Sequence, residues 1–181
     1  MRLSVRVRGD VKPVDERAAA EAAAEGVSDC VIAHFRRRNT SAKRRAGMPK
    51  SDYWEDAAES VTTEVRGESA AVTVQKEGVA LHYYGGVVYP VSGKALAIPL
   101  APSVAGVNPR EANAVAGGNS MFWPKNSTHG FLKDDESGEL LWLLVAKASF
   151  KADRSVLPTE SQMEQAACDF ILEGMSCRQA K

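Results

Sequence analysis

Few residues in this chain have the type and spacing that acid–base or metal chemistry needs. Three histidines stand in 181 residues, and none has a partner close in sequence for proton transfer. His34 lies in a helical run beside Phe35 and Arg36, His82 precedes Tyr83 and Tyr84, and His129 follows Thr128 in a turn. His34 and His82 are expected to be half-buried and satisfied. A metal site needs Cys, His or carboxylate ligands at short, regular spacing, which Cys30, Cys168 and Cys177 lack. Cys30 and Cys168 fall in helix-like stretches with apolar neighbours, which predicts inert packing residues in a reducing compartment. Gly117-Gly118-Asn119-Ser120 leads into Met121-Phe122-Trp123-Pro124 instead of a helix start, so it offers phosphate no helix N-terminus. Asp134-Asp135-Glu136 lacks the alternating oxygens of a calcium loop and reads as a solvated hairpin tip. Neither a cofactor nor a metal is expected.

Charge is more informative. Lys and Arg total 23 and Asp and Glu total 23, so copies of the chain repel one another little. Against that balance, residues 34–50 carry Arg36, Arg37, Arg38, Lys43, Arg44, Arg45 and Lys50 and no acid. Such a patch can neutralise phosphates, meet an acidic partner or stay solvated. Few aromatic residues interleave it, unlike the stacking platforms that hold single strands.

The elements that carry these residues follow from periodicity. Residues 3–8 alternate apolar and basic, which predicts a strand. Pro13 opens a helix over 14–38, with Asp15 and Glu16 at the positive end of its dipole and Arg36 to Arg38 at the negative end. Val14, Ala18, Ala22, Val27, Val31 and Phe35 form its apolar stripe. A second helix over 52–62 presents Tyr53, Trp54, Ala57, Ala58 and Val61. Two β-rich runs, 61–66 and 70–76, flank Gly67-Glu68-Ser69 as a hairpin. A strand at 94–100 has Pro99 near its end, which suits an edge. Residues 101–130 form a long irregular stretch for a compact domain, with short strands at 121–124 and 129–133. A turn at 134–138 enters the strongest strand, 139–151. Pro158 stops it, and Thr159 with Gln162 makes a capping box for a last helix to about residue 172 or 175. Met163, Ala166, Ala167, Phe170 and Ile171 are the buried stripe of that helix.

This order predicts one α+β domain spanning 1–181. An antiparallel sheet of about five strands would pack against the long N-terminal helix, the second helix and the C-terminal helix. The longest apolar run, 140–146, is too short to cross a bilayer, so a soluble protein made in the cytoplasm is expected.

Several segments in this order resemble the bacteriophage virion-morphogenesis family, the Mu G-like tail-completion proteins. They are His34-Phe35-Arg36-Arg37-Arg38 and Tyr53-Trp54-Glu55-Asp56-Ala57-Ala58, then Gly78-Val79-Ala80-Leu81-His82-Tyr83-Tyr84-Gly85-Gly86, and Lys94 to Leu100 with its Ile98-Pro99. The run from Leu140 through Pro158 into the closing helix completes the match over residues 25–172. The chain departs from the pattern at 101–130, where the insertion is longer. The resemblance implies a non-catalytic structural subunit of the virion neck, a ring, expected as a hexamer, between the tail tube and the head connector. Its partners would be copies of itself and the tail-tube and connector proteins, with sequence-independent contact to passing DNA and none to membrane. Arg36, Arg37, Arg38, Lys43, Arg44, Arg45 and Lys50 are then the assembly or channel candidates. Tyr83, Tyr84, Gly85, Gly86, Phe122 and Trp123 are the interface candidates. Two other readings compete: a small nucleic-acid-binding protein using residues 34–50, and a hydrolase around His82, Tyr83 and Asp134.

Overall fold

A computed structural model describes residues 2–5, 15–41, 51–91, 94–110 and 118–179. They are mixed α+β, as expected, with antiparallel sheets throughout. The chain divides into two compact units. The first gathers residues 2–5, 15–41, 51–85 and 152–179, and the second gathers 86–91, 94–110 and 118–151.

In the first unit, α1 (Glu16–Ser41) packs against α2 (Tyr53–Glu59), α4 (Glu160–Gln179) and a three-stranded sheet. The sheet has the order β1 (Arg2–Val5), β3 (Ser69–Val74), β2 (Val61–Arg66). The hairpin register runs from Val61 opposite Val74 to Arg66 opposite Ser69. Gly67 makes the tight turn at a φ of 59°, a conformation that glycine adopts without steric cost. The central strand buries Ala70, Ala71, Val72 and Val74. Of these, Ala70, Val72 and Val74 join Val27, Val31 and Phe35 of α1, Ala57 and Ala58 of α2, and Ala167 of α4 in one core.

The stripe of α1 is right in its second half and shifted in its first. Ala20, Ala23 and Ala24 are buried, whereas Ala18 and Ala22 are half-buried; Val14 lies outside the described residues. In an alanine-rich stretch each face carries the same methyl group, so periodicity cannot choose among them. The second helix ends at Glu59, and Val61 already belongs to β2. Cys30 is half-buried, and burial raises its thiol pKa despite the opposing charge of Arg37. Cys168 is exposed, a correction to the packing role expected of it, because Ala167 beside it takes the core face.

The capping box of α4 forms. Gln162 N donates to Thr159 Oγ1 at 3.3 Å, and Thr159 N donates to Gln162 Oε1 at 3.0 Å. Thr159→Ala is expected to cost about 1 kcal/mol, visible as a lowered thermal midpoint. Thr159→Ser should recover most of it.

The second unit holds two further sheets. A ribbon pairs β4 (Gly86–Val88) with β9 (Ala148–Phe150). A four-stranded sheet has the order β5 (Leu96–Pro99), β8 (Leu140–Val145), β7 (Gly130–Asp134), β6 (Asn119–Phe122). Pro99 does sit in an edge strand, where no ladder donor is lost. The single strand expected over 139–151 breaks into β8 and β9. Its buried run of Leu141, Trp142, Leu144 and Val145 ends at exposed Ala146 and Lys147, and the chain there changes pairing partner. The expected sheet of about five strands becomes three sheets with nine strands among the described residues; β4 and the separate β9, three residues each, are too short to stand out by periodicity. Residues 101–104 are less irregular than their composition implies. A 3-10 turn at Pro102–Val104 puts Ala101 and Val104 against Leu141 and Trp142 in a second core.

Candidate functional site

Arg36, Arg37 and Arg38 end α1, and the helical rotation of about 100° per residue sends them to different neighbours. Arg36 Nε donates to Glu55 Oε1 of α2 at 3.0 Å. Arg38 ion-pairs with Asp153, donates to the Ser155 carbonyl and hydroxyl oxygens at 3.2 Å each, and lies 4.8 Å over the Trp54 ring. Arg37 is exposed and makes no ion pair among the described residues. Lys43, Arg44, Arg45 and Lys50 lie outside the described residues.

One turn earlier, His34 Nε2 donates to the Ser155 carbonyl oxygen at 2.9 Å. Ser155 Oγ itself donates to Asp153 Oδ1 at 2.5 Å. Histidine, serine and aspartate thus come together, but the imidazole meets the serine carbonyl and not its hydroxyl. The serine proton points to the Asp153 carboxylate, which is itself ion-paired with Arg38, and the trio clasps the end of α1 to the 3-10 turn Arg154–Val156.

The Ser155 hydroxyl and then the Arg38 guanidinium hold the Asp153 carboxyl below its ordinary 3.8. A carboxylate with a lowered folded-state pKa adds stability above its unfolded value and loses it as pH falls through the folded one. Asp153→Asn should therefore lose about 0.2–1 kcal/mol at pH 7, the range of exposed ion pairs. At a second pH well below 3.8 the difference from wild type should shrink, because the carboxylate is then being protonated in both states. Chemical denaturation at the two pH values checks this.

The second helix and α3 (Val79–Tyr84) build an aromatic cluster. The His82 ring lies 5.5 Å from Tyr53 and 5.4 Å from Trp54, half-buried as expected of it. Tyr53 donates its hydroxyl to the Glu77 carbonyl at 2.9 Å, and burial raises its pKa above the usual 10.0. Tyr83 and Tyr84 meet edge to face at 4.9 Å, with the Arg154 guanidinium 4.4 Å from one ring and 5.2 Å from the other. Tyr83 is half-buried and Tyr84 is 59 % exposed.

Gly85 then ends α3 at a φ of 74°, its N–H donating to Leu81 O at 2.8 Å. Gly85 is the last residue of the first unit here and Gly86 the first of the second. The chain returns at Lys151 to Ala152. Gly86 to Val88 and Ala148 to Phe150, beside the two crossings, pair with each other in the β4–β9 ribbon.

The interface candidates of the second unit lie on β6 and just after it. Phe122 stacks on Phe131 of β7 at 5.5 Å. Trp123 covers Gly130, where a Cβ would stand 2.6 Å from its indole. The register puts Phe122, Phe131, Leu143 and Ile98 in one row across the four strands. On the other face is an open groove of about 740 Å³, whose lining includes Val91, Met121, Trp123 and Leu132 with the cations Lys94 and Arg110. Met121 is 61 % exposed and Trp123 48 %. β6 is the outermost strand, and among the described residues it pairs only with β7.

Asp134 accepts hydrogen bonds at 2.7 Å from both the backbone N–H and the hydroxyl of Ser137, which hold its carboxyl below the ordinary value. It stabilises the hairpin turn. Among the described residues no group of three His, Cys, Asp or Glu side chains is placed to hold a metal, and no helix is long and apolar enough to cross a membrane. Sequence reasoning missed the groove. Its one visible signal was Lys94 and Arg110 in a stretch otherwise poor in charge.

Fold and surface together define an α+β chain in two units, the second with a sheet edge that is unpaired among the described residues and an apolar groove. No family of proteins, no curated protein and no solved structure matches it.

Proposed function

We propose that this chain is a non-catalytic structural subunit of a bacteriophage particle. In this reading it is a tail-completion or head–tail joining protein that forms a ring, expected as a hexamer, between the tail tube and the head connector. The observation that carries the reading is the outer strand β6, unpaired on one side among the described residues and bearing exposed Met121, Phe122 and Trp123. Open, apolar sheet edges are aggregation hazards that monomeric proteins cover, twist away or charge. Left open, such an edge suits addition of a partner strand. The order of segments resembling tail-completion proteins favours a phage neck as the place where this happens.

Arg36 and Arg38 are engaged by carboxylates of the same chain, which leaves Arg37 as the cation of that trio with no ion pair among the described residues and so the one most free to meet DNA. Particle composition and a deletion phage test the proposal. The protein is expected in purified virions, and its loss should yield full heads with separate tails if it joins, or overlong tails if it terminates. Normal infectious particles without the protein would refute the role.

A further inference from the structure

The carboxylates of the second unit are segregated among the described residues. Within residues 86–91, 94–110 and 118–151, every carboxylate lies in the β7–β8 hairpin, as Asp134, Asp135, Glu136 and Glu139, with Lys133 the one cation beside them. Lys94, Arg110, Lys125, Lys147 and Lys151 lie outside that hairpin, and the first two line the apolar groove.

The register sets the acidic tip and Lys94 at opposite ends of one sheet. Asp134 pairs with Asn119 at the hairpin end, whereas Leu96, two residues after Lys94, pairs with Val145 at the other. Strands of this length span roughly 20 Å, and the Debye length at physiological salt is about 8 Å. Lys94 and the acidic tip of one copy are therefore too far apart to neutralise each other.

We infer that the groove of one copy receives the acidic β7–β8 tip of a second copy. Lys94 and Arg110 meet Glu136 and Glu139. Leu140, 40 % exposed beside the tip, adds an apolar side chain against Met121 and Trp123. Two different patches of the same chain form the contact, so it is head-to-tail, the kind that closes into rings when the rotation permits. The inference rests on the assembly reading and names the partner as another copy of this chain.

Sedimentation velocity of the full chain at low and high salt tests it. K94E/R110E is expected to weaken self-association at least about tenfold, since like charges at an interface repel. E136K/E139K should do the same, and an equal mixture of the two variants should regain assembly, because every contact again joins opposite charges. These side chains are exposed, and circular dichroism confirms that each variant folds. A wild-type chain monomeric at every concentration, reversals without effect, or a mixture that stays dissociated would each overturn the inference. Virion content reads the proposed role separately. A protein incorporated into particles but indifferent to these charges keeps the role and loses this interface.

Discussion

Replacing Phe35 with alanine is expected to remove about 3–5 kcal/mol of stability, the range for a fully buried aromatic side chain. Phe35 has no exposed surface and stacks on Trp54 at 5.8 Å with an interplanar angle of 24°. The cavity has little room to collapse. Trp54 is held edge to face by Tyr53 at 4.9 Å and covered by Arg38. Urea unfolding followed by far-ultraviolet circular dichroism should show a lower midpoint at unchanged slope. Phe35→Leu keeps most of the volume and should cost less than about 1.5 kcal/mol. A loss under about 1 kcal/mol for the alanine variant would mean that this core is wrongly drawn.

The second large effect reverses the usual sign of a helix substitution. In an open helix, glycine to alanine gains about 1 kcal/mol. Gly26 is buried in the middle of α1, where a Cβ would stand 2.3 Å from the Ala166 carbonyl oxygen and 2.8 Å from its carbon. Both are backbone atoms of α4, so no side chain can swing away and one helix must move. Overpacking of this kind costs about 1–3 kcal/mol, occasionally more, and here it must first cancel the propensity gain. Gly26→Ala is expected to end net destabilised by about 2 kcal/mol, and Gly26→Val by more. Thermal unfolding of the two variants checks the ranking. A stabilised alanine variant would show that α1 and α4 are not in backbone contact at this point.

Both results concern elements that were partly legible. The first helix and its stripe were read from periodicity, and Phe35 stood at the end of that stripe. The neighbour of α1, and Gly26 as the point of closest approach, depend on α4, which begins more than a hundred residues later. The basic run at the end of α1 was plain in the sequence. Its division into Arg36 on Glu55, Arg38 on Asp153 and Ser155, and exposed Arg37 follows from helical rotation against two distant segments. Likewise the Gly85-Gly86 pair was visible as a motif, whereas its place where the chain passes between units needed the contacts of both.

What the sequence by itself determined is local. It set the α+β class, the long first helix, the hairpin through Gly67, the Thr159–Gln162 cap and the edge position of Pro99, because each rests on propensity, spacing or a missing N–H within a few residues. Tertiary structure alone decided the split of 139–151 between two sheets, the face of the alanine helix that is buried, and the groove beside Met121 and Trp123. It also separated the acidic tip from Lys94 across one sheet. Those outcomes depend on which strands pair and which faces meet. Pairing and burial join residues far apart in the chain, so no local pattern encodes them.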